Sequence, residues 1–99
     1  MNIRSIQNKI QQSNYKFSDH AVKQMIERSI DRYEVEDAIC SGEIIEEYPD
    51  DKYSPSCLIY GKIKSGRDLH VQVSFIPKVV IITTYEPDPE EWINCQIRR

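Results

Sequence analysis

The stretch from Cys57 to Tyr85 constrains the fold most, because it reads as three strands joined by two short turns. The strand signals run over Cys57–Lys64, Asp68–Ile76 and Val79–Tyr85, with Ser65-Gly66 and Pro77-Lys78 as the turns. Turns this short bring neighbouring strands back antiparallel, so the three form a meander. In the middle strand Leu69, Val71, Val73 and Phe75 alternate with His70, Gln72 and Ser74. One face therefore packs, and the other is left for water or a ligand. The unbroken apolar run Val79–Ile82 predicts a strand covered on both sides, central or nearly so.

The first half of the chain reads differently. Ile3, Ile6 and Ile10 lie three and four residues apart within Asn2–Gln12, which predicts a helix with a thin apolar stripe. Tyr15 and Phe17 flank Lys16 as in a short strand or extended link. Ser18 then caps a second helix that runs to about Ser29, with Ala21, Val22, Met25 and Ile26 turned inward and His20, Gln24 and Arg28 along an adjacent stripe. Asp31 and Glu34 have capping-box spacing, so a third helix begins near Arg32 with Tyr33, Val35, Ala38 and Ile39 inward. Gly42 ends it as a left-handed cap, Ile44–Tyr48 is β-prone, and Pro49–Pro55 is a loop. After Pro87 and Pro89, Trp92 and Ile93 pack a short turn back on the domain, leaving Arg98-Arg99 as a frayed end. Helices followed by a meander make an α+β domain, with N-terminal helices on one face of a C-terminal antiparallel sheet.

At 99 residues, 39% of them apolar, the chain suffices for a single domain, 1–99, without a deep internal cavity. Met1–Ile10 is too polar for a secretory signal, and no run approaches the roughly 20 apolar residues of a membrane span. The expectation is a cytoplasmic chain with no membrane partner. Cys40, Cys57 and Cys95 are odd in number and widely spaced, which suggests neither a disulfide framework nor a zinc site. Charge is divided along the chain: residues 1–32 hold six Lys and Arg against three acids, whereas 33–55 hold one Lys against eight. The basic first third can attract phosphate while the acidic middle faces water or a basic partner.

Five residues carry the candidate chemistry. An imidazole exchanges protons near neutral pH and a guanidinium grips phosphate, so His20 and Arg28, two turns apart, can meet one phosphate. His70 lies on the unpacked face of its strand, and two histidines can divide base and acid roles while a ribose hydroxyl attacks its own phosphate. Thr83 and Tyr85 share a face where the last strand turns polar; they can orient an imidazole, bond a phosphate or stack on a base. Each of these residues also has an ordinary structural reading as a cap, a surface group or a cover. The chain has no Walker loop, no G-x-G-x-x-G, no G-x-S-x-G and no H-E-x-x-H, so neither a cofactor nor a metal is expected.

Four ordered segments carry a resemblance: Ser18-Asp19-His20-Ala21 with Met25, Arg28 and Ile30; Gly42–Glu46 with Tyr48-Pro49; Leu69-His70-Val71; and Ile82–Pro87. From about Tyr15 to Trp92 the chain resembles the bacterial domain-of-unknown-function family numbered 4258, which is similar to RelE- and BrnT-like toxin domains. That resemblance implies a metal-independent endoribonuclease of a toxin–antitoxin system, acting on single-stranded RNA and silenced by an antitoxin encoded nearby. It singles out His20, Arg28, His70, Thr83 and Tyr85 as catalytic, with Lys16, Lys23, Gln24 and Arg67 along the RNA. The alternative is a catalytically inactive protein-binding module or adaptor that keeps the same fold.

Overall fold

The computed structural model describes residues 2–52 and 54–99; Tyr53, inside the loop expected over 49–55, and Met1, the first residue of the stretch too polar for a secretory signal, lie outside the described residues. Helix α1 (Ile3–Gln11) is capped by Asn2, whose side chain accepts from the Arg4 amide, and it buries Ile6 and Ile10. Strand β1 (Tyr15–Phe17) leads into α2 (Asp19–Arg28), where the Ser18 hydroxyl accepts from the Ala21 amide. Helix α3 (Arg32–Ser41) opens on the complete Asp31–Glu34 capping box. Then come β2 (Glu43–Tyr48), β3 (Ser56–Lys62), β4 (Asp68–Ser74) and β5 (Val79–Tyr85), followed by a small hairpin of β6 (Trp92–Ile93) and β7 (Ile97–Arg98).

The order in the main sheet is β1-β5-β4-β3-β2. The meander is present, but β1 joins β5 in parallel, pairing Tyr15–Phe17 with Val79–Ile81, so the sheet is mixed rather than wholly antiparallel. As the apolar run predicts, β5 is an inner strand, although only its first half has a strand on both sides. A register shift opposite Gln72 and Val73 leaves Ile82 as the extra residue. The core lies between the helices and one sheet face: Ile6, Ile10, Ala21, Val35, Ala38 and Ile39 pack with Ile59, Leu69, Val71, Val73 and Ile81. These strand residues are alternate ones, so His70, Gln72, Leu58 and Tyr85 lie on the second face.

Several sequence expectations shift for physical reasons. On α2, Ala21 is buried but Val22 and Ile26 are 43% and 77% exposed. The helix instead presents Gln24 and Arg28 to the backbone of β5. Tyr33 is also exposed, because Val35, Ala38 and Ile39 already fill the inward arc of α3 and Tyr33 lies about 200° from Val35 around the helix. Gly42 is extended, not left-handed. A side chain there would collide with the carbonyl oxygens of Ala38 and Tyr60, and one at Gly61 would collide with that of Ala38, so glycine is required by the close seating of α3 on β2 and β3. Arg98 is not frayed: it pairs with Trp92 across the terminal hairpin.

Candidate functional site

Strand β1 stops at Phe17, opposite Ile81, and beyond that point the outer edge of β5 has no strand neighbour among the described residues. Unpaired edge amides and carbonyls need partners. Helix α2 supplies them. The Ser18 amide donates to the Ile81 carbonyl and the Ser18 hydroxyl to that of Ile82, each at 2.9 Å. Nearly two turns further on, Gln24 Oε1 accepts from both the Thr83 hydroxyl and the Thr84 amide. Arg28 Nη1 reaches the Thr84 carbonyl at 3.4 Å. A polar stripe therefore faces the sheet because the sheet offers it backbone, and this turns Val22 and Ile26 outward.

His20 belongs to the same stripe but is exposed, with no hydrogen-bond partner among the described residues. Arg28 is exposed as well, and its guanidinium pairs with no carboxylate among the described residues, so most of its donors are free for an anion. Eight residues separate the two, about 12 Å of helix rise. They therefore address neighbouring parts of an extended strand more readily than a single phosphate, the geometry expected from spacing alone. Lys23 is exposed on α2, and Lys16 is exposed on the face of β1 opposite the core-packed Tyr15 and Phe17. Arg67 is committed elsewhere. Its guanidinium donates to the carbonyls of Arg28 and Ser29 at the end of α2 and to the carboxylates of Glu34 and Glu86, which makes it a clamp between α2, α3 and the strands.

His70 and Tyr85 meet on the second face, at directly paired positions of β4 and β5. The terminal hairpin covers this part of the face, so the openness expected from alternation does not hold at His70. Its side chain is fully buried, with the Trp92 ring edge-on at 4.5 Å between centroids. Nε2 lies 2.6 Å from the Cys95 carbonyl and Nδ1 lies 3.2 Å from the Tyr85 hydroxyl. A carbonyl only accepts, so Nε2 carries the proton and Tyr85 donates to Nδ1. Burial lowers the His70 pKa, opposed by the bond to Cys95, and burial likewise raises that of Tyr85. Both groups are therefore neutral at pH 7, and His70 orients the Tyr85 phenol.

Beside this pair lies an open hollow of about 410 Å³ lined by Tyr48, Asp51, Leu58, Gln72, Tyr85 and Arg98. Arg98 sits over the Trp92 ring at 4.6 Å and bonds Glu46 at 3.1 Å. Asp51 accepts from the fully buried Ser56 hydroxyl at 2.7 Å, which in turn accepts from Gln72 at 3.2 Å. Burial and the neighbouring Glu46 push the Tyr48 phenol up to about 12.

The candidate residues thus fall into two groups joined by β5. His20, Gln24, Arg28 and Thr83 are on the α2 edge; His70 and Tyr85 are on the second face, where the bordering guanidinium is that of Arg98. Sequence reasoning missed Thr84, which bonds Gln24 and Arg28 through its backbone and the His70 carbonyl through its hydroxyl, at 3.0 Å. It also missed the contribution of Arg98. The one available signal was Trp92 following two prolines. Among the described residues, no three or more His, Cys, Asp or Glu side chains gather as metal ligands, and no helix is long and apolar enough to cross a membrane.

A family model described as "Domain of unknown function (DUF4258)" matches residues 17–86. No curated protein and no solved structure gives a match. The matched span holds both groups of candidate residues except Lys16, and it excludes α1 and the terminal hairpin.

Proposed function

The chain belongs to the DUF4258 family, and from that premise we propose that it is a metal-independent endoribonuclease toxin of a toxin–antitoxin system. The observation that carries the reading is the α2 edge: an exposed His20 and an exposed Arg28, the first without a bond and the second largely free among the described residues, are held in line along β5 by the bonds of Gln24. In this reading single-stranded RNA lies across that edge. His20 takes the proton from the 2′-hydroxyl as that oxygen attacks the adjacent phosphorus. The bond from phosphorus to the 5′ oxygen of the next nucleotide breaks, that oxygen takes a proton from water, and a 2′,3′-cyclic phosphate and a 5′-hydroxyl end are left. Arg28, about 12 Å further along the helix, grips the neighbouring phosphate and fixes the strand across the edge for that attack. Thr83 and Gln24 position the helix against the strand, Lys16 and Lys23 attract the backbone, and Tyr85, oriented by His70, offers its ring to a base.

An antitoxin encoded nearby would silence such a site by covering Val22 and Ile26, which project beside it. The test is incubation of purified protein with single-stranded RNA in the presence of a chelator. Cleavage should leave 2′,3′-cyclic phosphate ends and fall by about a hundredfold or more in His20→Ala or Arg28→Ala. Equal rates in wild type and both variants would end the proposal.

The sealed state of His70 favours a second reading, a catalytically inactive module that binds a protein partner without turnover. With both ring nitrogens bonded inside the protein, one of the two expected acid–base histidines is structural. Tight capture of a partner with no RNA product under any of these conditions would select it.

A further inference from the structure

A second cavity, of about 400 Å³, lies between α1 and the turn joining β4 to β5, within the range of small-ligand sites. Ile6, Phe75 and Pro77 supply apolar lining, and Lys9, Asn14 and Lys78 supply polar groups. Among the described residues no carboxylate lines it, in a chain with 16 acids and a net charge of −3. The contrast with the larger cavity against α3 is sharp: Asp31, Glu34, Glu36 and Asp37 all line that one.

Lys9 and Lys78 come from different elements, both are exposed, and neither has a hydrogen bond or ion pair among the described residues. The Asn14 side chain is equally free, with one donor and one acceptor group to offer. Two unneutralised ammonium groups fit a phosphate. An aromatic ring with a proline beside it fits the flat face of a base, and an amide can read a base edge. Five of the nine lining residues, Asn2, Ser5, Ile6, Lys9 and Asn14, precede the matched family span.

We propose that this cavity binds a nucleoside monophosphate group, either as a free nucleotide or as the phosphorylated end of an RNA chain. The free-nucleotide source stands apart from the ribonuclease reading; the RNA-end source rests on it. The experiment is calorimetric and amide-shift titration of the full chain with AMP, UMP, adenosine and inorganic phosphate. Parallel titrations use 2′-O-methyl oligonucleotides, which cannot be cleaved by 2′-hydroxyl attack, with and without a 5′ phosphate.

AMP or UMP should saturate and move the amides of Lys9, Asn14 and Lys78, while adenosine and phosphate alone bind roughly tenfold more weakly or worse. The double variant Lys9→Ala/Lys78→Ala should lose roughly tenfold or more in affinity. A preference for the 5′-phosphorylated oligonucleotide over both the free nucleotide and the 5′-hydroxyl form assigns the RNA end; binding of free nucleotide alone assigns the other source. Absence of saturation, shifts confined to α2, or affinity unchanged in the double variant would overturn the proposal. A His20→Ala/Arg28→Ala chain that retains nucleotide binding separates this site from the cleavage reading, whatever becomes of the latter.

Discussion

Tyr85 donates its hydroxyl to Nδ1 of His70 at 3.2 Å, while the opposite ring nitrogen donates to the Cys95 carbonyl. The terminal hairpin is thus bonded to the middle of the sheet through one neutral imidazole. Removing that ring in His70→Ala leaves a carbonyl and a phenol unsatisfied and a void under Trp92. The expected loss is about 3 kcal/mol of unfolding free energy. Tyr85→Phe removes one bond and should cost about 1 kcal/mol. Urea denaturation of the three chains checks the order; equal midpoints would show that the imidazole holds nothing.

The same burial makes stability depend on pH. The His70 pKa is lowered in the folded protein, so between the folded and unfolded values the unfolded chain binds more protons. Stability then rises with pH in that interval. The contribution is fully present above the ordinary imidazole value of about 6.5 and is lost as the pH falls through the folded value. Thermal melts from pH 7.5 to pH 4.5 should show this decline in wild type, and a shallower one in His70→Gln. Parallel curves for the two chains would refute the assignment.

Gln24 is the residue on which the α2 edge turns. In Gln24→Leu the Thr84 amide and Thr83 hydroxyl lose their acceptor, at an expected cost of about 1–3 kcal/mol. Hydrogen exchange at the Thr84 amide should accelerate, while amides in β3 stay protected. RNA cleavage should fall with kcat, since His20 and Arg28 lose their alignment. Unchanged exchange at Thr84 would mean that the glutamine does not cover the edge.

Arg67 separates a structural from a phosphate-binding cation. A lysine keeps the charge but cannot span two backbone carbonyls and two carboxylates. Arg67→Lys should cost about 1–2 kcal/mol of stability. It should leave RNA affinity and its salt dependence unchanged, whereas Lys23→Ala should reduce the salt slope. A flatter salt dependence in Arg67→Lys would restore Arg67 to the RNA surface.

The sequence made the meander and the capped helices legible because short turns, alternation and cap residues act within a few positions of one another. The Asp31–Glu34 box and the Leu69–Phe75 alternation are of this kind. What it did not disclose were consequences of distant pairing. Helix α2 turns Gln24 inward only because β1 ends at Phe17 opposite Ile81, and no local pattern encodes where a parallel neighbour stops. The alternation placed His70 on the second face correctly, yet could not show that Trp92, over twenty residues later, would cover it. Gly42 is a required glycine for a reason other than its own torsion: the constraint is the pair of carbonyls from Ala38 one turn back and Tyr60 on the next strand.

Arg98 tests whether the hairpin alone keeps His70 sealed. Its guanidinium lies over the Trp92 ring and bonds Glu46, so it fastens the outer strand of the hairpin to β2. Arg98→Ala removes a stacked, bonded group on a partly exposed surface, and about 1 kcal/mol of stability should follow. The diagnostic readout is the imidazole itself. The Arg98 charge itself lowers the His70 pKa. Its loss, and the water that reaches the ring as the hairpin loosens, should both raise that pKa toward the ordinary histidine value in a proton NMR titration. The uncharged change Trp92→Ala reports the sealing alone, and it should move the pKa further in the same direction, because the ring contact is lost directly. If the His70 resonance in both variants titrates as in wild type, the sheet rather than the hairpin sets its environment, and the terminal segment has no hold on the second face.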